Sequence, residues 1–294
     1  MTLFRTDDLA IAYDDGGKDE RGTVLLLHGW PDDASTWAGV VPALNGAGFR
    51  TIVPTLRGFG ETRFLTDAAH RTANSGILAL DAMALMDGLG VDRFAVIGHD
   101  WGANVAEALA VGWPGRVERI AMLATPPRLG GVPTPPFGQA QRYWYHWFMV
   151  TKRGAQAVRA DPHGFAHVHW ENWAPPGWFD EATFRRVAAS FDNPDWVDVT
   201  LHSYRARWEV AAPDPRSEWL ETEIKAATTL SLPTLFIKGD ADGVTTQESF
   251  AKVPAKFSGP FEMVGLPAVG HFPQREAPAA VADLLVAFLA GPRP

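Results

Sequence analysis

The 294-residue chain is 46% apolar and 20% charged, has no cysteine, and carries a net charge of −8 at neutral pH with 12 tryptophans against 4 tyrosines. That composition belongs to a folded protein with a sizeable core, and it excludes disordered, collagen-like and disulfide-stapled architectures. It also excludes cysteine-ligated metal centres and thiol catalysis, and an acidic chain of this kind lacks the broad basic face that tracks a phosphate backbone. The segment Met1 to Asp8 has no apolar stretch of signal-peptide type, and no apolar run reaches the roughly 18 residues that span a bilayer. A cytoplasmic protein with no nucleic-acid or membrane partner is therefore expected.

In chain order, Thr23–Leu27, Thr51–Val53, Phe94–Ile97 and Arg119–Ala124 read as short buried strands. Between them, Ala34–Ala47 and Gly76–Leu89 repeat apolar residues at three- and four-residue steps, as amphipathic helices do. Alternation of this kind predicts a mostly parallel sheet with helices on both faces. The pattern breaks at Thr125-Pro-Pro and Gly130-Gly-Val-Pro-Thr-Pro-Pro136. From 131 to 217 the chain is helical in tendency and holds seven of the twelve tryptophans. The βα pattern returns at Pro233–Ile237 and Pro260–Val264 and closes with a helix over Ala277–Leu289. The division expected is an α/β core in two parts, 1–130 and 218–294, interrupted by a helical insertion at 131–217.

The most informative stretch is Phe94-Ala-Val-Ile-Gly-His-Asp-Trp-Gly-Ala103. A buried strand runs into Gly98-x-Asp100-x-Gly102 and a helical pattern over Ala103–Val111 follows at once, the strand–turn–helix layout that exposes a nucleophile on a strained turn. Asp100 stands where serine is usual. A carboxylate needs no proton removed before it attacks an sp³ carbon, and the alkyl ester it forms can then be hydrolysed by water. The loop His28-Gly-Trp-Pro31 after the first of these strands can bring the Trp30 N–H beside the Trp101 N–H as a two-donor oxyanion site. A triad in the order nucleophile, acid, base is completed by Lys238-Gly-Asp-Ala-Asp-Gly243 and Gly265-Leu-Pro-Ala-Val-Gly-His271. Asp242, spaced Gly-x-x-Asp from Gly239, is preferred to Asp240 as the acid that orients His271.

These motifs, with Arg57-Gly-Phe-Gly60, resemble the α/β-hydrolase superfamily over nearly the whole chain. Within it they resemble the aspartate-nucleophile branch of epoxide hydrolases, haloalkane dehalogenases and fluoroacetate dehalogenases. The resemblance implies an α/β-hydrolase fold with an inserted helical cap, no cofactor, and catalysis by Asp100, Asp242 and His271. Epoxide hydrolases carry two cap tyrosines that donate to the epoxide oxygen, and Tyr145 and Tyr204 match those positions, with Tyr143 an alternative for the first. Haloalkane dehalogenases share the tryptophan after the nucleophile, here Trp101, but typically carry asparagine where this chain has Trp30. Fluoroacetate dehalogenases resemble the His146-Trp147 pair, yet their two arginines after the nucleophile are here Trp101 and Val105, so a haloacid lacks its carboxylate clamp. The resemblance thus points to an epoxide hydrolase, with a dehalogenase as the alternative and a non-catalytic ligand-binding protein as a third reading. Substrate contacts are expected from His28, Trp30, Pro31, Trp101 and Trp147, with a small apolar epoxide or halide and water as reactants. His163, His167 and His169 lie close in sequence, but the His-x-His pair lacks the helical i, i+4 spacing of a metal site and no further ligand set is evident, so no metal is expected. Nothing in the sequence selects between a monomer and a homodimer.

Overall fold

In the computed structural model, which describes residues 2–291, nine strands form one sheet. They are β1 (Thr2–Arg5), β2 (Leu9–Gly16), β3 (Thr23–Leu27), β4 (Arg50–Pro54), β5 (Arg63–Phe64), β6 (Phe94–His99), β7 (Val117–Leu123), β8 (Thr234–Gly239) and β9 (Phe261–Leu266). The order across the sheet is β1-β2-β4-β3-β6-β7-β8-β9, with β5 paired to β2. All neighbours from β4 to β9 run parallel, while β2 pairs antiparallel with β1, β4 and β5. This is the α/β-hydrolase fold.

Side-chain alternation on β3 sorts the two faces. Val24 and Leu26 join one apolar cluster with Trp37, Leu44, Val281 and Leu285, under α1 (Val41–Gly46) and the last helix. Leu25 and Leu27 join the other, under α2 (Ser75–Gly88) and α3 (Trp101–Gly112). The expected helix over 34–47 is two pieces, a 3₁₀ turn at Ala34–Trp37 and then α1, which starts at Val41 with Pro42 in its first turn. The β1–β2 hairpin is absent from the sequence reading because β2 buries five consecutive residues, Leu9 to Tyr13, and surfaces only at Asp14, so no alternation marks it.

Between β7 and β8 lie α4 (Phe137–Arg142), α5 (Trp144–Val150), α6 (Lys152–Ala160), α7 (Pro162–Trp173), α8 (Glu181–Ala188), α9 (Trp196–Arg207) and α10 (Glu218–Ala226). Their starts are written locally: Thr151, Asp161 and Asp180 each accept a hydrogen bond from a first-turn backbone N–H, and Pro162 occupies the first position of α7. After β8 come α11 (Gln247–Phe250), α12 (Pro273–Glu276) and α13 (Pro278–Ala290). Among the described residues no helix is long and apolar enough to cross a membrane.

The inserted helices sit over the carboxyl ends of the strands and are bonded to three loops there. Trp170 Nε1 donates to the Pro31 carbonyl at 2.7 Å, and Gln139 Nε2 donates to the Val244 carbonyl at 2.7 Å. The Trp173 carbonyl, at the end of α7, accepts from both Gly243 N and His271 N, each at 3.0 Å. One helix terminus therefore pins the loop after β8 and the loop after β9 together.

Candidate active site

Asp100 sits on the turn between β6 and α3 with φ 49° and ψ −110°, a strained conformation for a residue with a side chain. The turn closes only because glycine flanks it. A Cβ on Gly98 would meet the Gly102 carbonyl oxygen at 2.0 Å, and one on Gly102 would meet that of Leu27 at 2.2 Å. Trp30 N donates to Asp100 Oδ1 at 2.9 Å and the Thr125 hydroxyl donates to Oδ2 at 3.3 Å. Both bonds hold the carboxylate with Oδ1 in the backbone cradle and Oδ2 facing the base.

His271 Nδ1 donates to Asp242 Oδ2 at 2.9 Å, and Asp242 Oδ1 accepts from Val244 N at 2.6 Å and Thr245 N at 2.9 Å. These bonds fix the imidazole ring with Nε2 turned to the nucleophile. Nε2 lies 3.6 Å from Asp100 Oδ2, an ion-pair distance rather than a hydrogen bond, and has no hydrogen-bond partner among the described residues. Asp240 is elsewhere, half-exposed and paired with Lys238. The loop geometry thus sets Asp242, not Asp240, at the imidazole.

Burial would push His271 down, but Asp242 and Asp100 overcome it and raise its pKa from 6.5 to about 10. Burial would likewise raise Asp100, but His271 and the Trp30 N–H hold it below the usual carboxylate range. The His271 charge contributes fully below about pH 6.5 and its contribution is lost as pH rises through about 10. Thermal melts should show this group's share of stability declining between those limits.

Tyr145 and Tyr204 are both buried, with ring centroids 5.5 Å apart, and Tyr204 lies 5.8 Å from Trp101. Burial pushes both phenols well above their ordinary pKa, the Asp100 charge adds to this at both, and Tyr204 adds to it at Tyr145, so they remain protonated donors. Tyr143 is half-buried, stacked on His146 at 4.4 Å, and bonded to Arg207. His146 is buried beside Tyr204 at 4.7 Å, and its Nδ1 accepts from Trp208 Nε1 at 3.2 Å.

Three expected substrate contacts lie outside the site. Trp147 is 37% exposed, its indole N–H donates to the Ala140 carbonyl, and its ring packs on Trp208 at 4.5 Å. It occupies the next helical direction from His146, turned away from Asp100. Both ring nitrogens of His28 are engaged, Nδ1 with Gly29 O and Nε2 with Leu56 N, and burial lowers its pKa to about 4. It shapes the loop rather than meeting substrate. Pro31, after a cis peptide bond, presents its carbonyl to Trp170. Trp30 contributes its backbone N–H, while its indole donates to Thr200 Oγ1 at 3.2 Å.

The three histidines discounted as ligands diverge: His163 pairs with Asp192, His167 with Glu181, and His169 bonds the Phe165 carbonyl. Among the described residues no group of three acidic or histidine side chains could hold a metal ion.

Two supporting groups escaped the sequence reading. Glu276 accepts from Gly270 N at 2.6 Å and from Phe272 N at 2.9 Å, clamping the backbone on either side of His271. A Glu in the first turn of α12 is the signal that could have located it. Arg275 forks onto Asp32 at 2.6–3.1 Å, joining the His28–Asp33 loop to the base loop in a buried pair. Glu276→Ala should cost about 1–3 kcal/mol of stability by stranding buried N–H groups, read as a lower Tm. It should also lower kcat as His271 loses its fixed position.

The chain matches the family described as alpha/beta hydrolase fold over residues 22–278. It is similar to epoxide hydrolase A of Mycobacterium tuberculosis, with 28% identity over 98% of this chain and 97% of that one. Among solved structures, a candidate epoxide hydrolase from Klebsiella pneumoniae superposes with a TM-score of 0.92 and 35% identity, covering 98% of this chain and 96% of that chain. Epoxide hydrolase A of Mycobacterium thermoresistibile superposes at 0.78 with 25% identity, covering 96% and 95%. With the sheet order, the aspartate turn and these likenesses together, the chain belongs to the α/β-hydrolase superfamily, among its epoxide hydrolase-like members.

Proposed function

We propose that this protein hydrolyses epoxides to vicinal diols through an ester on Asp100, with residues 131–217 acting as a cap over the site. The observation that carries this reading is the pair of buried, protonated phenols, Tyr145 and Tyr204, packed together with Tyr204 against Trp101, the residue after Asp100. An epoxide oxygen leaves as an alkoxide and needs a proton donor, whereas a halide leaves already anionic. The named relatives support the same reading across nearly the full chain.

Oδ2 of Asp100 attacks a ring carbon and the C–O bond opens. The departing oxygen takes a phenolic proton, and the phenolate regains one from solvent. Ester formation removes one of the two negative charges that hold the proton on His271, so its pKa falls and the neutral imidazole becomes available. His271 Nε2 then takes a proton from water as the hydroxide adds to the ester carbonyl. Charge develops on Oδ1, already bonded to Trp30 N, with the Trp101 N–H at the start of α3 as the second donor. Collapse releases the diol, which takes the proton back from His271.

Two outcomes test this. Tyr204→Phe should lower kcat/KM for styrene oxide about 10- to 100-fold, since one of two donors remains. Acid pH should favour the ester at steady state, because protonated His271 cannot activate water while Asp100 stays ionised. Intact-mass spectra should show more adduct at pH 5 than at pH 8. The deciding assay compares diol from styrene oxide with halide from small haloalkanes. Diol formation is expected, and halide release without diol would overturn the epoxide reading in favour of dehalogenation.

A further inference from the structure

A cavity of about 800 Å³ opens beside the candidate site, with Trp101 and Tyr204 on its inner wall, a size suited to a small-molecule substrate. Of the three cations in its lining, two are paired with carboxylates. Arg128 faces Glu221 at 3.6 Å and Lys225 faces Glu209 at 3.2 Å. Glu218 is exposed at the rim. Arg207 remains. Among the described residues no carboxylate lies within ion-pair distance of it, and its Nε is buried with no partner. Its neighbours are the Asn104 side-chain oxygen, at 3.4 Å from Nη1, and the Tyr143 phenol.

Placement makes this cation relevant to substrate. Arg207 is the last residue of α9, three after Tyr204, so the two side chains lie on one helix face with Cβ atoms about 5–6 Å apart. A half-buried guanidinium without a counter-ion is costly to maintain, and its planar fork matches a carboxylate in two parallel hydrogen bonds.

We propose that Arg207 is the anchor for an anionic substrate, and that the preferred substrates are compact epoxides bearing a carboxylate a few bonds from the ring. The inference rests on the epoxide reading above and adds the substrate class. The carboxylate meets the Arg207 fork at the end of α9, and the epoxide oxygen meets Tyr204 one turn back. Asn104 and Tyr143 hold the guanidinium in the cavity. This anchor is on the inserted helices, not on the helix after the nucleophile.

The test compares styrene oxide carrying a para carboxylate with its methyl ester. Wild-type enzyme should prefer the acid by at least about 10-fold in kcat/KM, chiefly through a lower KM. Arg207→Met should bring that ratio close to one, and Arg207→Lys should restore part of it. A ratio near one in the wild type, or a preference that survives Arg207→Met, would overturn the assignment. If both substrates are inert, the epoxide reading fails and the anchor is still tested by calorimetry. There, 4-ethylbenzoate should bind wild type at least about 10-fold tighter than 4-ethylbenzamide and lose that margin in Arg207→Met. Equal binding of the two would sink the anchor separately.

Discussion

Asp100→Ala should remove essentially all turnover, a loss of at least about 10⁴-fold in kcat, with the far-ultraviolet dichroism of the folded protein retained. The reason is geometric as much as chemical. The strained turn, the Trp30 N–H on Oδ1 and the Thr125 hydroxyl on Oδ2 present one carboxylate, at an ion-pair distance from the base. No neighbouring acid can take over. Asp242 is committed to His271 and to two backbone N–H groups, and Asp32 is forked by Arg275. Water activated by His271 in the variant would have to attack the epoxide directly without that alignment, so residual rates near the wild type would exclude Asp100 as nucleophile.

His271→Gln separates the two half-reactions. The ester should still form, because Asp100 remains ionised and Tyr145 and Tyr204 still donate, but its hydrolysis should slow by about 10²–10⁴-fold for want of a general base. A burst of one diol-equivalent of adduct should appear on the peptide carrying Asp100, and persist through gel filtration. The variant loses its cation beside Asp242, so the nucleophile's pKa should rise toward the ordinary carboxylate range and the adduct should form more slowly at acid pH than in the wild type. Failure to accumulate adduct while substrate is consumed would place His271 outside the hydrolytic step.

How much of this was legible in the sequence depends on range. The parallel strands and the Gly98-x-Asp100-x-Gly102 turn are local patterns: consecutive buried residues, then glycines that no side chain could replace. The order of Asp100, Asp242 and His271 is a one-dimensional fact, and the fold brings those three side chains together. Glu276 and the Asp32–Arg275 pair are different, since the latter joins residues 243 positions apart and only the folded loops show it. Trp147 shows the limit from the other side. Its residue type suits a halide or aromatic contact, but rotation of about 100° per residue along α5 puts Tyr145 and His146 inward and Trp147 on the surface. Arg207 carried no signal at all, because an arginine at a helix end reads as an ordinary favourable charge on the helix dipole. Only the pairing of the cavity's other two cations, Arg128 and Lys225, singles it out.

The covalent ester is the central claim, and one oxygen atom decides it. A single turnover of styrene oxide in ¹⁸O-labelled water, with enzyme in excess, should place one label in the carboxylate of Asp100 and leave the first diol unlabelled, as read by mass spectrometry of the peptide spanning the turn. Label in the diol alone, with none in Asp100, would mean that water opens the epoxide directly and would contradict the ester mechanism.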